Sequence, residues 1–531
     1  PTSTHRADDD VAATCALFRI LLAAVNEMPP ALVKCIALLA PVEQWNTAVV
    51  FQHFAQPEAK PFSLKELRHE SMTSYERRPR IDAKMIQTME YPTAEDIAQA
   101  FSPTGIVGKI YDDFDPREEQ LTMAQEVRAA LEASENLIVE AGTGVGKSMA
   151  YLVPAVLMAK KNNIAIGVAT KTNALLDQLV YHELPALAQS LGDITYAPLK
   201  GFSHYPCLRK VNRFVKEGVK MVDVQGTEHS QAPSLGALLS FIDQTDYDDM
   251  DSLKMDYRVV PRRAVTTTSH DCLRRKCPFY GTTCFVHGAR RFAETADVVV
   301  TNHTLLFCDA AADNGLLPPV RHWILDEAHG AEAEARRAFS LEIAAEDVTR
   351  LAQKVASGES RNVYARAERK LSSSLKNDGA TLFEGLIGKA KSAGDMFAAA
   401  AHEFAPHIKD LLFFDPNKRS RNYDRTELWL NDDIRASQTF GSLRTFAKTM
   451  QSSAEKAITC SQELVGYLEN IEGAAEPQRE IASVAMDLKD LVGAVEVIFG
   501  EKSDSYAYAA ELCRKKDKQT DKLEALVVNV G

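Results

Sequence analysis

The 531-residue sequence has few cysteines, no long apolar run and no excess of positive charge, and each shortage excludes a class of protein. No apolar stretch reaches the roughly 18 residues that a membrane-spanning helix needs. Nine cysteines are too sparse for a small disulfide-stapled secreted domain, so we expect a reducing, cytoplasmic setting and no membrane partner. A net charge of −12 excludes a uniformly basic nucleic-acid coat and leaves room only for local basic segments.

The strongest local pattern is AGTGVGKS, residues 141–148, which follows the apolar run at 137–139. A short strand, a glycine-rich loop and a helix, in that order, are what a phosphate-binding P-loop requires. Its backbone N–H groups wrap the phosphates, its lysine reaches the β- and γ-phosphates, and its hydroxyl ligates Mg²⁺. We predict an ATP-binding loop made of Gly142, Thr143, Gly144, Val145, Gly146, Lys147 and Ser148.

The second half of such a site is predicted at HWILDEAHG, residues 322–330. The apolar run 323–325 has strand character, and Asp326 and Glu327 follow at its C-terminal end, the edge where open parallel sheets bind ligands. Asp326 is predicted to hold Mg²⁺ and Glu327 to polarise the attacking water. The sequence therefore predicts an α/β P-loop fold that hydrolyses a nucleotide.

Further motifs lie in order around these two: FDPREEQLTMA (114–124), VATKTNALLDQL (168–179) and VVVTNHTLLFCD (298–309). Together they resemble the superfamily 2 helicases, and within them the DinG/XPD-type iron–sulfur helicases. The resemblance implies a RecA-like domain that couples ATP hydrolysis to 5′→3′ movement on single-stranded DNA and opens duplex junctions. It also implies that Arg117 and Gln120 read adenine, that Thr170, Thr172, Gln178 and Asn302 contact DNA, and that His329 joins Lys147, Asp326 and Glu327 in catalysis.

Three cysteines cluster in SHDCLRRKCPFYGTTCF, residues 269–285, within a basic and aromatic stretch. From the residues alone a disulfide knot, a zinc site, an iron–sulfur site and chance are all open. The resemblance implies an inserted 4Fe–4S domain, with Cys207 joining Cys272, Cys277 and Cys284 as ligands, and zinc remains a chemical alternative. The interleaved Arg274 and Arg275 suit contacts to single-stranded DNA.

The resemblance also divides the chain. Residues 1–40 are expected to be the end of a DnaQ-like 3′–5′ exonuclease domain, in which His5 and Asp10 fit an H-x4-D pattern, although an acidic helix start explains Asp10 equally. The remaining expected segments are a linker (41–110), RecA-like domain 1 (111–200 and 296–330), the iron–sulfur domain (201–295), an α-helical arch or an unrelated helical bundle (331–500), and a return to RecA-like domain 1 (501–531).

No TSAT-like motif or late arginine finger of a second RecA-like lobe occurs in the sequence. We therefore expect the 531-residue chain to bind nucleotide, to hydrolyse it poorly and not to unwind DNA. Two other functions are compatible with the motifs. One is a nucleotide-gated clamp for single-stranded DNA without motor activity, and the other is a nuclease whose helicase part only grips the substrate.

Overall fold

The computed structural model describes residues 7–71, 82, 85–86, 88–111, 114–142, 144–192, 194–281, 283–312, 316–358, 362–372, 378–412, 425–515 and 518–527. The chain forms two compact units, which are described separately. The first unit comprises Pro1–Thr268, Cys277–Leu306 and Gly315–Glu327. The second unit comprises Ser269–Lys276, Phe307–Asn314 and Ala328–Gly531.

The first unit combines helices with short strands. Its helices are α1 (Ala7–Glu27), α2 (Pro30–Ala37), α3 (Ala48–Phe54), α4 (Leu64–Ser71), α5 (Ala94–Ala100), α6 (Glu118–Ala133), α7 (Lys147–Asn162), α8 (Asn173–Gln178), α9 (Leu184–Leu191), α10 (Leu208–Glu217), α11 (Ala232–Gln244), α12 (Arg262–Val265) and α13 (Phe285–Glu294). Its strands are β1 (Ile166–Thr170), β2 (Tyr196–Pro198), β3 (Met221–Val224), β4 (Thr227–Ser230), β5 (Val298–Asn302) and β6 (Trp323–Leu325). Helix α14 (His303–Ala311) begins in this unit.

A parallel sheet with the strand order β2-β5-β1-β6 lies at the centre of this unit. Every residue of β1 is buried, as expected for an apolar strand covered on both faces. Ala169 of β1 pairs with Thr301 on one side and with Leu325 on the other. The carboxyl ends of β1, β5 and β6 therefore share one edge. The arrangement is mixed α/β and is compatible with a RecA-like domain.

The predicted strand at 323–325 is confirmed as β6, and the predicted helix after the glycine-rich loop is confirmed as α7. The strand predicted at 137–139 is wrong. Leu137, Ile138 and Val139 belong to no strand, and they are 41%, 96% and 41% exposed. Apolar character alone does not form a strand, because the backbone groups of a strand also need a paired neighbour.

A second core of the first unit joins early and late parts of the chain. Apolar residues of α2 and α4 pack with those of α10, α11 and α13. Part of the segment predicted as a linker, 41–110, is therefore built into the core of the cysteine-bearing region. Leu64 and Leu67 of α4 are 2% and 5% exposed, which shows that this charged helix has one buried face.

The second unit is mainly helical, as predicted for 331–500, and adds a sheet that was not predicted. Its helices are α15 (Ala331–Phe339), α16 (Ala345–Val355), α17 (Val363–Leu371), α18 (Asp378–Leu412), α19 (Asp432–Ala436), α20 (Gln438–Leu468) and α21 (Ala475–Phe499). Its strands are β7 (Leu341–Ala344), β8 (Arg425–Trp429), β9 (Tyr506–Lys515) and β10 (Lys518–Val527).

The described part of 501–531, the segment predicted to return to the RecA-like domain, forms two strands of a sheet in the second unit. β9 and β10 pair with each other and with β8 and β7 in an antiparallel sheet of order β7-β10-β9-β8. Leu523 of β10, for example, pairs with Ile343 of β7 and with Ala510 of β9. All three side chains are buried in the core shared with the long helices α18 and α20, and this burial fixes the register of the sheet.

None of the described helices is by itself long and apolar enough to cross a membrane. The consecutive segments Asp9–Glu27 and Pro30–Ala37, bent by 112° relative to each other, pass that test only as a pair and only by length and composition. The first of these helices exposes Val11, Leu17 and Ile20, which are 63%, 57% and 65% accessible.

Candidate active site

The glycine-rich loop has the backbone shape that its sequence predicts. Gly144 and Gly146 have φ angles of +85° and +84°, in the left-handed region where a side chain would be strained. Gly146 is the N-cap of α7, so Lys147 and Ser148 occupy the first turn, at the positive end of the helix dipole. Thr143 lies outside the described residues.

Two residues predicted to read adenine contact this loop through its backbone. The Arg117 guanidinium donates to the Gly144 carbonyl. Gln120, which is 4% exposed, donates from Nε2 to the Gly146 carbonyl at 2.9 Å. Arg117 is the N-cap residue of α6, so this helix places both side chains beside the loop. The structure thus brings the 114–124 motif and the loop together.

Lys147 and Glu327 come from motifs 180 residues apart and meet at the carboxyl edge of the sheet. Lys147 Nζ donates to Glu327 Oε1 at 3.1 Å, and both side chains are about one-third exposed, at 32% and 33%. Glu327 has a φ of +54°, which is uncommon for a residue with a side chain. Residues held in such conformations cluster at functional sites.

Asp326 is the more buried acid of this pair of carboxylates. Its backbone N–H donates to the Ala169 carbonyl at 2.8 Å, which fixes it at the end of β6. Burial and then the charge of Glu327 raise the pKa of Asp326, while Lys147 opposes the shift. Burial, and next the nearby Asp326, raises the pKa of Tyr151 in α7. A carboxylate that resists ionisation in this way is well suited to a cation, which would compensate its charge.

The residues predicted to contact DNA differ in accessibility. Thr170 is fully buried, and its hydroxyl donates to the Thr172 carbonyl at 2.9 Å. Because this hydroxyl is used inside the sheet, Thr170 does not offer it to a phosphate, unlike the predicted role. Thr172 and Gln178 are exposed at the two ends of α8. Asn302 at the end of β5 donates to Asn173 Oδ1 at 2.7 Å, so Asn302 supports the start of α8.

Three of the four predicted cysteine ligands lie in the first unit and are half-buried: Cys207, Cys277 and Cys284. Cys207 and Cys284 are the N-cap residues of α10 and α13. Cys272 lies in the second unit and accepts from the Arg274 backbone N–H at 3.4 Å. Thiolates at such positions fit the ligands that iron–sulfur clusters take. Among the described residues, however, no group of three or more His, Cys, Asp or Glu side chains is arranged to hold a metal.

The remaining predicted site residues are placed as follows. Arg274 and Arg275 are exposed in a short 3-10 helix, Arg274–Lys276, of the second unit. His329 is exposed in another, Ala328–Gly330. Asp10 is exposed in α1, and His5 lies outside the described residues.

One ionic network was missed at the sequence level. Lys200 follows β2 and has a side chain that is only 1% exposed, yet it contacts Asp177 of α8 at 3.0 Å, Asp249 at 2.9 Å and Asp251 at 3.2 Å. Asp251 also pairs with Arg262. The network ties the helix that carries Gln178 to the cysteine-bearing region. No spacing rule connects these positions, so no local pattern predicts them.

Comparison with known proteins shows similarity to several curated helicases and to one exonuclease. The chain is 36% identical over 243 residues to an ATP-dependent DNA helicase YoaA of Haemophilus influenzae and 38% identical over 257 residues to an ATP-dependent helicase DinG of Mycobacterium tuberculosis. Each match covers 44% of this chain. This chain is also 26% identical to a 3′-5′ exonuclease DinG of Bacillus subtilis, over 442 residues that cover 79% of this chain. No protein-family model matches the chain.

The matched regions cover 36%, 38% and 45% of the lengths of these three relatives, so the chain spans less than half of each of them. The similarity is to DinG- and YoaA-type helicases, in agreement with the resemblance that the motifs carry.

Proposed function

We propose that this chain is the nucleotide-binding part of a DinG-like, ATP-dependent DNA helicase that moves 5′→3′ on single-stranded DNA and opens duplexes. The observation that carries the proposal is the 3.1 Å contact between Lys147 and Glu327, which joins the glycine-rich loop to the acidic strand end. The names of the relatives support the same conclusion.

The proposed reaction is phosphoryl transfer from ATP to water. Lys147 and the N–H groups of the loop bind the β- and γ-phosphates, while Arg117 and Gln120 hold the base. Ser148 and Asp326 are the residues that would hold Mg²⁺, which supplies charge neutralisation when bound. Glu327 orients the water, and His329 relays the state of the nucleotide to the DNA. Thr172, Gln178, Asn302, Arg274 and Arg275 are the proposed DNA contacts.

We further propose that Cys207, Cys272, Cys277 and Cys284 hold a 4Fe–4S cluster. The support is the number of thiols, their spacing in the sequence and the location of two of them at helix N-termini. Iron content and the visible absorption of anaerobically purified protein test it, and zinc in place of iron would overturn it.

Nucleotide binding is tested by Lys147→Ala. Loss of a charged contact to phosphate is expected to weaken binding of a fluorescent ATP analogue about 10- to 100-fold. The matched control is Lys161→Ala, because Lys161 lies in the same helix with a 41% exposed side chain and pairs only loosely with Asp96 at 3.8 Å. Equal affinity in Lys147→Ala and the control would contradict the proposed phosphate site.

A nucleotide-gated DNA clamp without motor activity is the second candidate. Because this chain is expected to hydrolyse ATP poorly without a second RecA-like lobe, the test uses the chain joined to such a lobe from a DinG relative. DNA-stimulated ATP turnover of the joined protein that is abolished by Glu327→Gln supports the motor, since only hydrolysis needs the water-orienting carboxylate. A change in oligonucleotide affinity on adding ATP, with no turnover in the joined protein or its Glu327→Gln variant, supports the clamp instead.

A further inference from the structure

Arg68 is the largest side chain in the structure that is completely buried, with 0% exposure among the described residues. It lies on α4, one position after the buried Leu67 and four after the buried Leu64. This spacing puts all three side chains on one helix face. Arginine is almost never fully buried unless its donors are satisfied, so the contacts of Arg68 need an explanation.

The guanidinium donates hydrogen bonds to four backbone carbonyls that are far away in the sequence. Nη1 donates to Ile242 at 3.1 Å and to Thr245 at 2.7 Å, and Nη2 donates to Asp246. Nε donates to Thr283 at 3.3 Å. Ile242 lies in the last turn of α11 and Thr245 is its C-cap, so the cation also neutralises the negative end of that helix.

These contacts lie on both sides of Cys284. Thr283, whose carbonyl accepts from Arg68, precedes this cysteine. Phe285, which follows it, is fully buried and has its ring centroid 4.2 Å from the guanidinium carbon. The Cys284 carbonyl accepts from the Gly288 N–H at 2.7 Å as α13 begins. Arg68 therefore restrains the backbone before Cys284 and the side chain after it.

The contacts require the geometry of arginine. A guanidinium presents five donors in a rigid planar fork and can stack on a ring, whereas a lysine ammonium is a point charge with three donors. Only a planar guanidinium can donate to the end of α11 and to the Thr283 carbonyl and, at the same time, stack on the Phe285 ring.

We propose that Arg68 is a positioning residue for Cys284, through which helix α4 holds the backbone before this cysteine and the ring after it in place at the start of α13. This role rests on the proposed cluster, and it adds that the region before the glycine-rich loop takes part in the site. Arg68 itself is not a ligand.

The test is Arg68→Lys, which keeps the charge and removes the fork. In this variant we expect amide hydrogen exchange in residues 283–289 to become about tenfold faster, because the segment opens locally. Exchange in α2, which shares the same core, stays unchanged, and iron per chain falls to less than about half of the wild-type content. The matched control is Arg213→Lys, because Arg213 lies in α10 with a 42% exposed side chain.

If Arg68→Lys keeps the hydrogen exchange and iron content of the wild type, the proposal is wrong. Faster exchange throughout the core, including α2, would also contradict it, because it indicates only a loss of general stability. If the wild-type chain binds no iron, the cluster proposal fails, and the exchange of 283–289 in the metal-free chain still decides the role of Arg68. If Arg68→Lys does not fold, Phe285→Leu replaces it. That variant removes the ring that Arg68 contacts, together with its stacking on Phe241, and is expected to give a smaller and still local change.

Discussion

The region around α4 and the region after β2 each bury one long cation, and they satisfy it in different ways. The Arg68 side chain is surrounded by backbone carbonyls. The Lys200 ammonium is surrounded by the carboxylates of Asp177, Asp249 and Asp251. Carbonyls are neutral when the cation is lost, whereas carboxylates are left charged. The first arrangement therefore fixes geometry, and the second balances charge.

The difference predicts unequal costs of removing the two cations. Lys200→Met leaves up to three carboxylates without their shared cation, and breaking a buried ionic group in this way costs about 3–5 kcal/mol of unfolding free energy. Arg68→Met leaves unpaired neutral groups and is expected to cost less at neutral pH. Urea denaturation of both variants at pH 7 measures this, with Lys200→Arg as the control that keeps the charge. A larger loss in Arg68→Met would reverse the interpretation of the two sites.

Lowering the pH sharpens the same comparison. In the wild type, burial opposes ionisation of Asp251, but His204, Arg262 and Lys200 more than offset this and hold the pKa of Asp251 below its usual value. Its ionised form therefore stabilises the fold above about pH 4, and this contribution is lost as the pH falls through the folded-state pKa.

In Lys200→Met the pH dependence is instead carried by Asp249. Burial already raises the pKa of Asp249 against the pull of Lys200, and without the lysine this carboxylate resists ionisation more strongly. A carboxyl group whose pKa is raised in the folded state lowers the free energy of unfolding at high pH. This loss becomes smaller as the pH falls and the group binds its proton. The loss of unfolding free energy caused by Lys200→Met should therefore be about 1 kcal/mol smaller at pH 5 than at pH 7. Arg68→Met should change less over this range, because only Asp243 faces the lost charge with a burial-raised pKa. If Lys200→Met loses the same unfolding free energy at pH 7 and at pH 5, the unpaired carboxylates are not the cause of the loss.

The smallest effect is expected at an exposed pair. Hydrogen bonds from Arg258, through its side chain and then its backbone, lower the pKa of Asp256 to about 2, yet the Arg258 side chain is 67% exposed and the Asp256 side chain 35% exposed. Water and salt screen such a pair, so Arg258→Gln should leave the urea midpoint unchanged. A measurable shift would show that formal pairing matters even without burial, which would weaken the distinction between the two buried cations.

The sequence predicts the parts of the candidate site that depend on local order. An apolar run followed by two acids is enough to place Asp326 and Glu327 at a strand end, and a glycine-rich loop before a helix is enough to place Lys147. The same rule failed at 137–139, because a strand also needs a neighbour to pair with, and no local pattern supplies one. The strands β9 and β10 were not predicted for a similar reason, since their partners come from residues 341–344 and 425–429.

Local sequence order does not predict the two buried cations. In KELRHE, Arg68 has the appearance of a solvated residue on a charged helix, and its partners are 174 to 215 positions away. The signal that could have separated it is the spacing of Leu64, Leu67 and Arg68 on one face. The local sequence PLKGFSH does not predict three carboxylates around Lys200, because two of them follow about fifty residues later.

The contact between Lys147 and Glu327 has a consequence for idle turnover. In the proposed reaction Glu327 orients the attacking water, and the ion pair with Lys147 keeps its carboxylate engaged. The phosphates of ATP would compete for Lys147 and so release Glu327 when a substrate is in place. The ion pair would thereby couple the availability of the proposed base to the presence of its substrate.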